Sequence, residues 1–587
     1  MKVAARLSSA PLSFHLEEMH IFAGAVLIIL GYLVLVPVIL LILSGFKETG
    51  FLFDPGFTLE HFIRIYTNRQ TWELIQYTLI FATGSTSISL GLGILFAWLT
   101  ERTNLPFRSV VRVALVLPIA IPGVLLAMGW VLLASPRIGM INHHLMGILD
   151  LKSPPFNIFS LPGMIFAQGL ALTPTAFLIV SPSFKRMDPV LEEAASIAGA
   201  NLLKTLRYVV FPLLLPGIFA AAAYVFLVTL VVFDIPGTLG IPARIFVFSS
   251  EIYWSARPTM GLPEYGRIGA LSTVFLFTTL VLAFFYNHMT RRAGRFATVT
   301  GRGYRPKLID LGKWKYCGLA AILLYLTLAL VLPFLSLLWT SLIPYFQPFS
   351  VEKLRLISFA SYSSTLGFPK VRLALTNTLV VVAVSSTVVA VFSTLISWLI
   401  VHSQPYMRRA LDFLSFLPMS IPHLMLGLAL IYVYLTVPFL PVYGTVWILV
   451  IAFVTTYLAF GTRTTNAAMF QLHKELEEAA QISGASRLRT FRSIVIPLIF
   501  PALLNVFIWV TAHSMRELSA ALMLRTSRSV VISTLIWEFW AEDSEMNRAS
   551  VLGVIMILIL LILTVIGFFV VESGQTLRIF KRKRLNR

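Results

Sequence analysis

Two adjacent pairs of carboxylates stand out from a chain of 587 residues of which only 12% are charged. Glu192-Glu193 lie in LEEAASIAGANLLKTLRYVVFPLLLPG (191–217) and Glu477-Glu478 in LEEAAQISGASRLRTFRSIVIPLIFPA (476–502). Each pair is followed by two alanines (Ala194-Ala195, Ala479-Ala480), then by a glycine (Gly199, Gly484), a basic run and an apolar stretch. The chemistry on offer is electrostatic rather than catalytic. Carboxylates in the first turn of a short helix sit at the positive end of its dipole and can meet a partner there. Two further acids, Asp234 in LVVFDIPGTLG and Glu517 in HSMRELSAALML, close long apolar stretches. An ionisable group at such depth is costly and marks a substrate path or holds neighbouring helix ends together. On the first reading, hard oxygen ligands suit a highly charged metal cation and negative charge also suits an organic cation, whereas an oxyanion would find Arg516.

Other chemistries are thinly represented. The sequence has no G-x4-G-K-[ST], and its Gly312-Lys313 pair is followed by Trp314, so this chain cannot cradle ATP in that way. The single cysteine, Cys317, rules out an internal disulfide framework and a Cys-based metal cluster. His143-His144 have no further clustered ligands and read as a solvated loop. No intramembrane acid–base cluster suggests a membrane enzyme. Site metals and bound cofactors are expected to be none.

The elements that must position these residues are membrane helices. A soluble domain carries about 25% charged residues, whereas 57% of this chain is hydrophobic. A span needs about 20 apolar residues. Stretches 21–44, 77–100, 113–136, 157–182, 208–233, 268–290, 316–342, 373–401, 493–515 and 549–571 meet this length, and 413–462 divides in two at a polar bend near Val437–Gly444. That predicts twelve helices, the form that satisfies backbone groups inside a bilayer at these lengths. The first stretch is long for a signal peptide and is read as a retained span.

The twelve are two copies of six. Val190–Ile218 and Glu475–Leu503 align without a gap, with 15 of 29 positions identical, where about 2 would arise by chance. LPIAIPG (117–123) matches LPMSIPH (417–423), and Trp98 matches Trp398, at an offset of 300 that later falls to 285. The extra residues of the first half are assigned to SPRIGMINHHLMGILDLKSPPFN. We expect halves 1–300 (core about 75–290) and 301–587 (core about 373–571). Six is even, so the copies are parallel repeats about an axis along the membrane normal.

Net charge is +20, and its distribution argues for lipid rather than nucleic acid. With the N-terminus inside, inner segments hold 30 basic residues against 12 acids, and outer loops 16 against 14. This bias places both termini in the cytoplasm. The largest contributors are 291–315 and the tail RIFKRKRLNR, both suited to lipid headgroups.

The carboxylate pairs then fall between spans four and five of each half, on the inner side. Asp188 can cap and Pro189 can start the first short helix. Leu191, Ala194, Ala195 and Ala198 give it a narrow apolar face, and Gly199 suits a left-handed stop. A second short helix with Lys204 and Arg207 leads back to the membrane. The product is a helix–turn–helix knuckle. It is the part of the two halves most alike, whereas a mere connector would be free to drift.

Here the chain resembles the permeases of binding-protein-dependent ABC importers of the type I class, which carry E-A-A-x3-G-x9-I-x-L-P. The second copy supplies Glu478, Ala479, Ala480, Gly484, Ile494, Ile496 (for Leu) and Pro497, and the first supplies Glu193, Ala194, Ala195, Gly199, Val209, Phe211 and Pro212. In place of Asp188-Pro189 the second copy has His473-Lys474. The resemblance spans both halves. It implies an all-α polytopic membrane protein of the ABC type I permease fold, with each knuckle a coupling helix on a cytoplasmic ABC ATPase dimer that uses ATP and Mg²⁺. It also implies a periplasmic substrate-binding protein as partner and the bacterial inner membrane as location. The fused double length resembles ferric-iron permeases most, with thiamine, aminoethylphosphonate and polyamine systems as alternatives. An ion-coupled twelve-helix transporter is the competing class, but TERTNLPFRSVVR lacks the G-x3-D-[RK]-x-G-R-like loop of the major facilitator type.

Overall fold

The computed structural model describes residues 11–51, 53–187, 189–257, 264–293, 308–436 and 441–585. Much of the basic 291–315 connection and residues 437–440 of the expected bend therefore lie outside the described residues. Pairing of β type among the described residues is limited to two isolated bridges, Lys47 with Phe57 and Thr103 with Ile309. Everything else that is regular is helix.

Among the described residues ten helices are long and apolar enough to cross a membrane, and two bent pairs bring the number to twelve. In chain order the first six are His20–Gly45, Arg69–Arg102, the bent pair Arg108–Ala120 with Gly123–Ala134, Leu161–Lys185, Arg207–Val231 and Tyr265–Leu282. Spans seven to twelve are Trp314–Leu342, Pro369–His402, the bent pair Pro405–Ser420 with His423–Leu435, Val446–Met469, Arg487–Arg516 and Met546–Gly567. All twelve stretches expected from the sequence are present. The architecture is that of an all-α polytopic membrane protein made of two parallel six-helix repeats.

Spans three and nine depart from straight helices. Their two limbs meet at 90° and 109° respectively. The break falls within LPIAIPG and LPMSIPH, whose first four residues form 3-10 turns (Leu117–Ala120, Leu417–Ser420). The cause is the second proline of each motif. Pro122 and Pro422 lack an N–H and disfavour the helical region for the residue before them. Ile121 (φ −84°, ψ 117°) and Ile421 (φ −94°, ψ 118°) are accordingly extended.

Spans five and eleven open on single π-turns at matched positions, Leu206–Val210 and Phe491–Val495. Pro212 and Pro497 follow directly, each removing a backbone donor from the first α-turn.

The described chain divides into two compact units that interleave the sequence halves. One contains residues 1–57, 372–534 and 566–587. In it the first span packs through Ala23, Val26 and Leu30 onto Ile396, Leu399, Ile400, Leu411 and Leu458 of the second half. Spans eight and ten meet through small residues: Gly461 lies against Ser393, and the Ser397 and Thr465 hydroxyls are 2.6 Å apart. Small residues let membrane helices approach closely where water supplies no driving force.

The other unit contains residues 58–371 and 535–565. Spans two and four use the same device, with Gly93 against Ala176 and the Ser89 hydroxyl donating to the Gly169 carbonyl (2.9 Å). Span seven is packed here on first-half helices. Gly129 faces Pro333, the Ser336 hydroxyl donates to the Gly129 carbonyl (3.2 Å), and Tyr325 donates to the Leu170 carbonyl (3.2 Å). The lead span of each half thus lies in a unit dominated by the opposite half.

Candidate functional site

The knuckles form as two short helices each. The first is Pro189–Ile197, and the chain leaves it through Gly199 at φ +82°. The second is Lys474–Ile482, leaving through Gly484 at φ +85°. In both, the residue after the glycine closes the helix from outside: Ala200 N donates to Ala195 O (2.9 Å) and Ala485 N to Ala480 O (3.0 Å). A side chain at a positive φ meets its own backbone, so glycine is required by conformation. Space is not the constraint, since an added Cβ at either position would meet nothing within 4 Å.

Asp188, expected to cap the first helix, lies outside the described residues, as does the side chain of Glu193. The second helix has His473 at its start with no side-chain cap. Asn201 Oδ1 accepts from Lys204 N (2.9 Å), and Ser486 Oγ accepts from Arg489 N (3.3 Å), so each second short helix is held at its start by a side chain.

The alanine face is open. Ala194, Ala198, Ala479 and Glu478 are exposed, while Ala195 and Ala480 are half-buried. Beside them lie Leu191 and Leu476 (45% and 46% exposed) and Ile197 and Ile482 (both 88% exposed). Two solvent-facing isoleucines at matched positions extend the apolar strip beyond what the alanine spacing suggested.

Glu192 and Glu477 do not face outward. Glu192 is paired with Arg102, the last residue of span two, whose side chain is fully buried. Glu477 Oε2 lies 3.0 Å from Nε2 of His402, the last residue of span eight. The first carboxylate of each pair is therefore turned back onto its own half.

At the far end of the same fifth spans stand the two other acids. Glu517 is buried and hydrogen-bonded on both oxygens. Its Oε2 accepts from Tyr457 OH (3.0 Å) and lies 2.9 Å from His423 Nδ1, and its Oε1 accepts from Ala520 N (3.2 Å). Its carbonyl accepts from the Ser533 hydroxyl (2.7 Å). Asp234 is half-buried; its carbonyl accepts from Thr238 (2.7 Å), and its side chain lies close enough to Gly123 that an added Cβ there would sit 3.0 Å from it. Gly123 and His423 are the matching last residues of LPIAIPG and LPMSIPH. Each acid thus sits against the start of the second limb of a broken span.

Residues 89–299 and 386–573 match the family described as binding-protein-dependent transport system inner membrane component. The chain belongs to that family. It is a multi-pass ABC importer permease, and the family is one of transporter subunits, not enzymes.

Relatives of the permease include the ferric transport system permease protein FbpB of Actinobacillus pleuropneumoniae, 26% identical over 94% of this chain and 78% of that one. A putative ferric transport system permease protein of Haemophilus influenzae is 26% identical over 89% and 81%. The sulfate transport system permease protein CysT of Salmonella typhimurium is 28% identical over 42% of this chain and 88% of its own.

Sequence reasoning missed four side chains of the permease. Arg102 and His402 each stand four residues after the matched Trp98 and Trp398, so the repeat alignment carried their signal. His423 ends LPMSIPH. Tyr457, deep in span ten, had no signal beyond its position in an apolar run. The His143-His144 pair lies exposed on the short helix Met140–Leu149, and no group of three metal-ligating side chains occurs among the described residues.

Proposed function

We propose that this permease carries ferric iron across a bacterial inner membrane. It receives the ion from a periplasmic binding protein and is driven by a separate cytoplasmic ATPase dimer that holds ATP and Mg²⁺. The observation that carries the reading is the duplicated knuckle, with the same left-handed glycine and the same exposed isoleucine in each copy. Two equivalent docking features suit a partner with two equivalent subunits. In this reading Glu192, Glu193, Ala194, Ala195 and Gly199, with Glu477, Glu478, Ala479, Ala480 and Gly484, form the coupling loops. ATP-driven changes at the knuckles move spans five and eleven and alternate access from one side to the other. The positive charge of the inner segments puts both termini in the cytoplasm.

Iron is supported by the ferric transport permeases among the relatives that run along most of the chain. It is supported physically by Asp234 and Glu517, whose negative charge lowers the cost of a trivalent ion in a low-dielectric gap. Glu517 has its oxygens occupied by protein donors, so it acts through charge rather than as an open ligand. Cargo selection rests with the binding protein.

Two measurements test this. The purified permease should hydrolyse no ATP alone; robust hydrolysis by the single polypeptide would overturn the division of labour. Accumulation of ⁵⁵Fe in a strain lacking other importers should depend on this gene. Dependence of thiamine or aminoethylphosphonate uptake instead would reject iron and leave the transporter class standing.

A further inference from the structure

The tie between each knuckle and the end of the second span of its half recurs at matched positions with different chemistry. Arg102 and His402 keep the 300-residue offset of Trp98 and Trp398, while Glu192 and Glu477 keep the 285-residue offset of the knuckles. The first tie joins a fully buried guanidinium to Glu192. Its backbone is held as well, since Arg102 O accepts from Ile309 N (2.8 Å).

The second tie is an imidazole between two acceptors. His402 Nδ1 lies 2.9 Å from the Trp398 carbonyl and Nε2 lies 3.0 Å from Glu477 Oε2. A carbonyl oxygen and a carboxylate both accept, so both contacts are hydrogen bonds when the ring carries two protons. The ring packs on Trp398 (centroids 4.9 Å apart), which in turn meets Phe491 of the π-turn (5.6 Å). Trp398 and Phe491 are uncharged, and Glu477 is the charged group that the structure brings to His402. A nine-residue helix such as Lys474–Ile482 has little stability of its own, so its orientation depends on such ties.

We propose that Arg102 and His402 are positioning residues for coupling. Each holds its knuckle through the first glutamate of the pair, and so sets the angle at which Ile197 or Ile482 is presented to the ATPase. The first tie joins a guanidinium to a carboxylate, whereas the second runs through an imidazole that needs both ring N–H groups to hold its two acceptors. This rests on the reading of the knuckles as docking sites, and the experiment separates the two.

The full chain in lipid nanodiscs, with Cys317→Ser, takes a single nitroxide at Ile197→Cys or Ile482→Cys, without ATPase. Glu477→Gln and His402→Ala should each mobilise the label at 482 and leave the label at 197 unchanged, and Arg102→Ala should do the reverse. His402→Arg, which restores a donor to Glu477, should keep the label at 482 ordered. A label at 482 that stays as ordered in Glu477→Gln and His402→Ala as in the wild type overturns the tether. In a second arm the cognate ATPase is titrated onto the unlabelled permease. Its affinity should fall about tenfold in Glu477→Gln and His402→Gln. Unchanged affinity in both variants overturns the positioning role while docking stands. No binding to the wild type overturns docking itself, and the coupling role with it.

Discussion

The permease treats its two kinds of duplicated acid in opposite ways. At the knuckles the halves are nearly superimposable in sequence, both leave their helix through a glycine near φ +80°, and both turn the first glutamate back onto span two or eight. At the far ends of spans five and eleven the halves have diverged. Asp234 sits by Gly123, whereas Glu517 is clasped by His423, Tyr457 and a backbone amide. The same scaffold therefore holds one end fixed and lets the other vary. On the proposed docking role, a face that meets two like partners tolerates little difference between its copies. A site within the helix bundle answers to its own neighbours and can be built differently in each half.

The strongest way to break this comparison is at the glycines. Gly199→Val with Gly484→Val forces β-branched residues into the left-handed region, which costs roughly 1–2 kcal/mol or more at each position. ATP-driven uptake should fall to background at unchanged membrane levels. Normal uptake would end the claim that the knuckles are alike because they couple. Gly199→Ala with Gly484→Ala should be milder, because alanine is not β-branched and enters the left-handed region at lower cost.

At the divergent end, Glu517→Ala leaves His423 and Tyr457 facing a vacated carboxylate site. Stability in detergent, read from thermal unfolding, should drop by about 1–3 kcal/mol. His423→Gly imitates the first half and removes one donor while leaving two, so its loss should be smaller, about 1 kcal/mol. Equal losses from the two variants would mean that the clasp depends on His423 rather than on the carboxylate.

A topological test asks whether the two ends face opposite sides. Reporter fusions at residues 145 and 303 should respond on different sides, outside and inside respectively. Signals on the same side would break the twelve-span arrangement.

The smallest effect is expected beside Arg102. Asp310 is held below the usual carboxylate range by the Gly312 backbone amide, then by Asn104, whose Nδ2 donates to Oδ1 (2.5 Å). A lowered carboxyl contributes stability above its unfolded pKa and loses it as pH falls through the folded value. Asp310→Asn should shift the melting temperature slightly near neutrality and not at all in strong acid, a difference that calorimetry at two pH values would register.

Much of this was legible in the sequence, for physical reasons. Long charge-free runs have no alternative to helix in a bilayer, so all twelve spans could be placed. Gly199 and Gly484 were readable as stops because glycine has a privileged conformation. The breaks at Pro122 and Pro422 were not read, although two prolines four residues apart gave the means, because hydropathy stays high through the bend. Arg102 with Glu192 and His402 with Glu477 join residues 90 and 75 apart, a distance at which periodicity says nothing. The partners of the Glu517 carboxylate come from three separate helices, and only the packing of those helices reveals that it is a saturated group.

One feature of the fold governs how the molecule is made. The first span emerges from the ribosome carrying Ala23, Val26 and Leu30, yet the residues that cover them begin at Ile396. At the usual pace of synthesis, about 5–20 residues per second, that is a delay of roughly 20–70 s. During that interval the leading helix waits in lipid without its native neighbours. The half synthesised first cannot be finished first, and assembly of the membrane bundle closes late, when the second half comes back to claim the helix that began the chain.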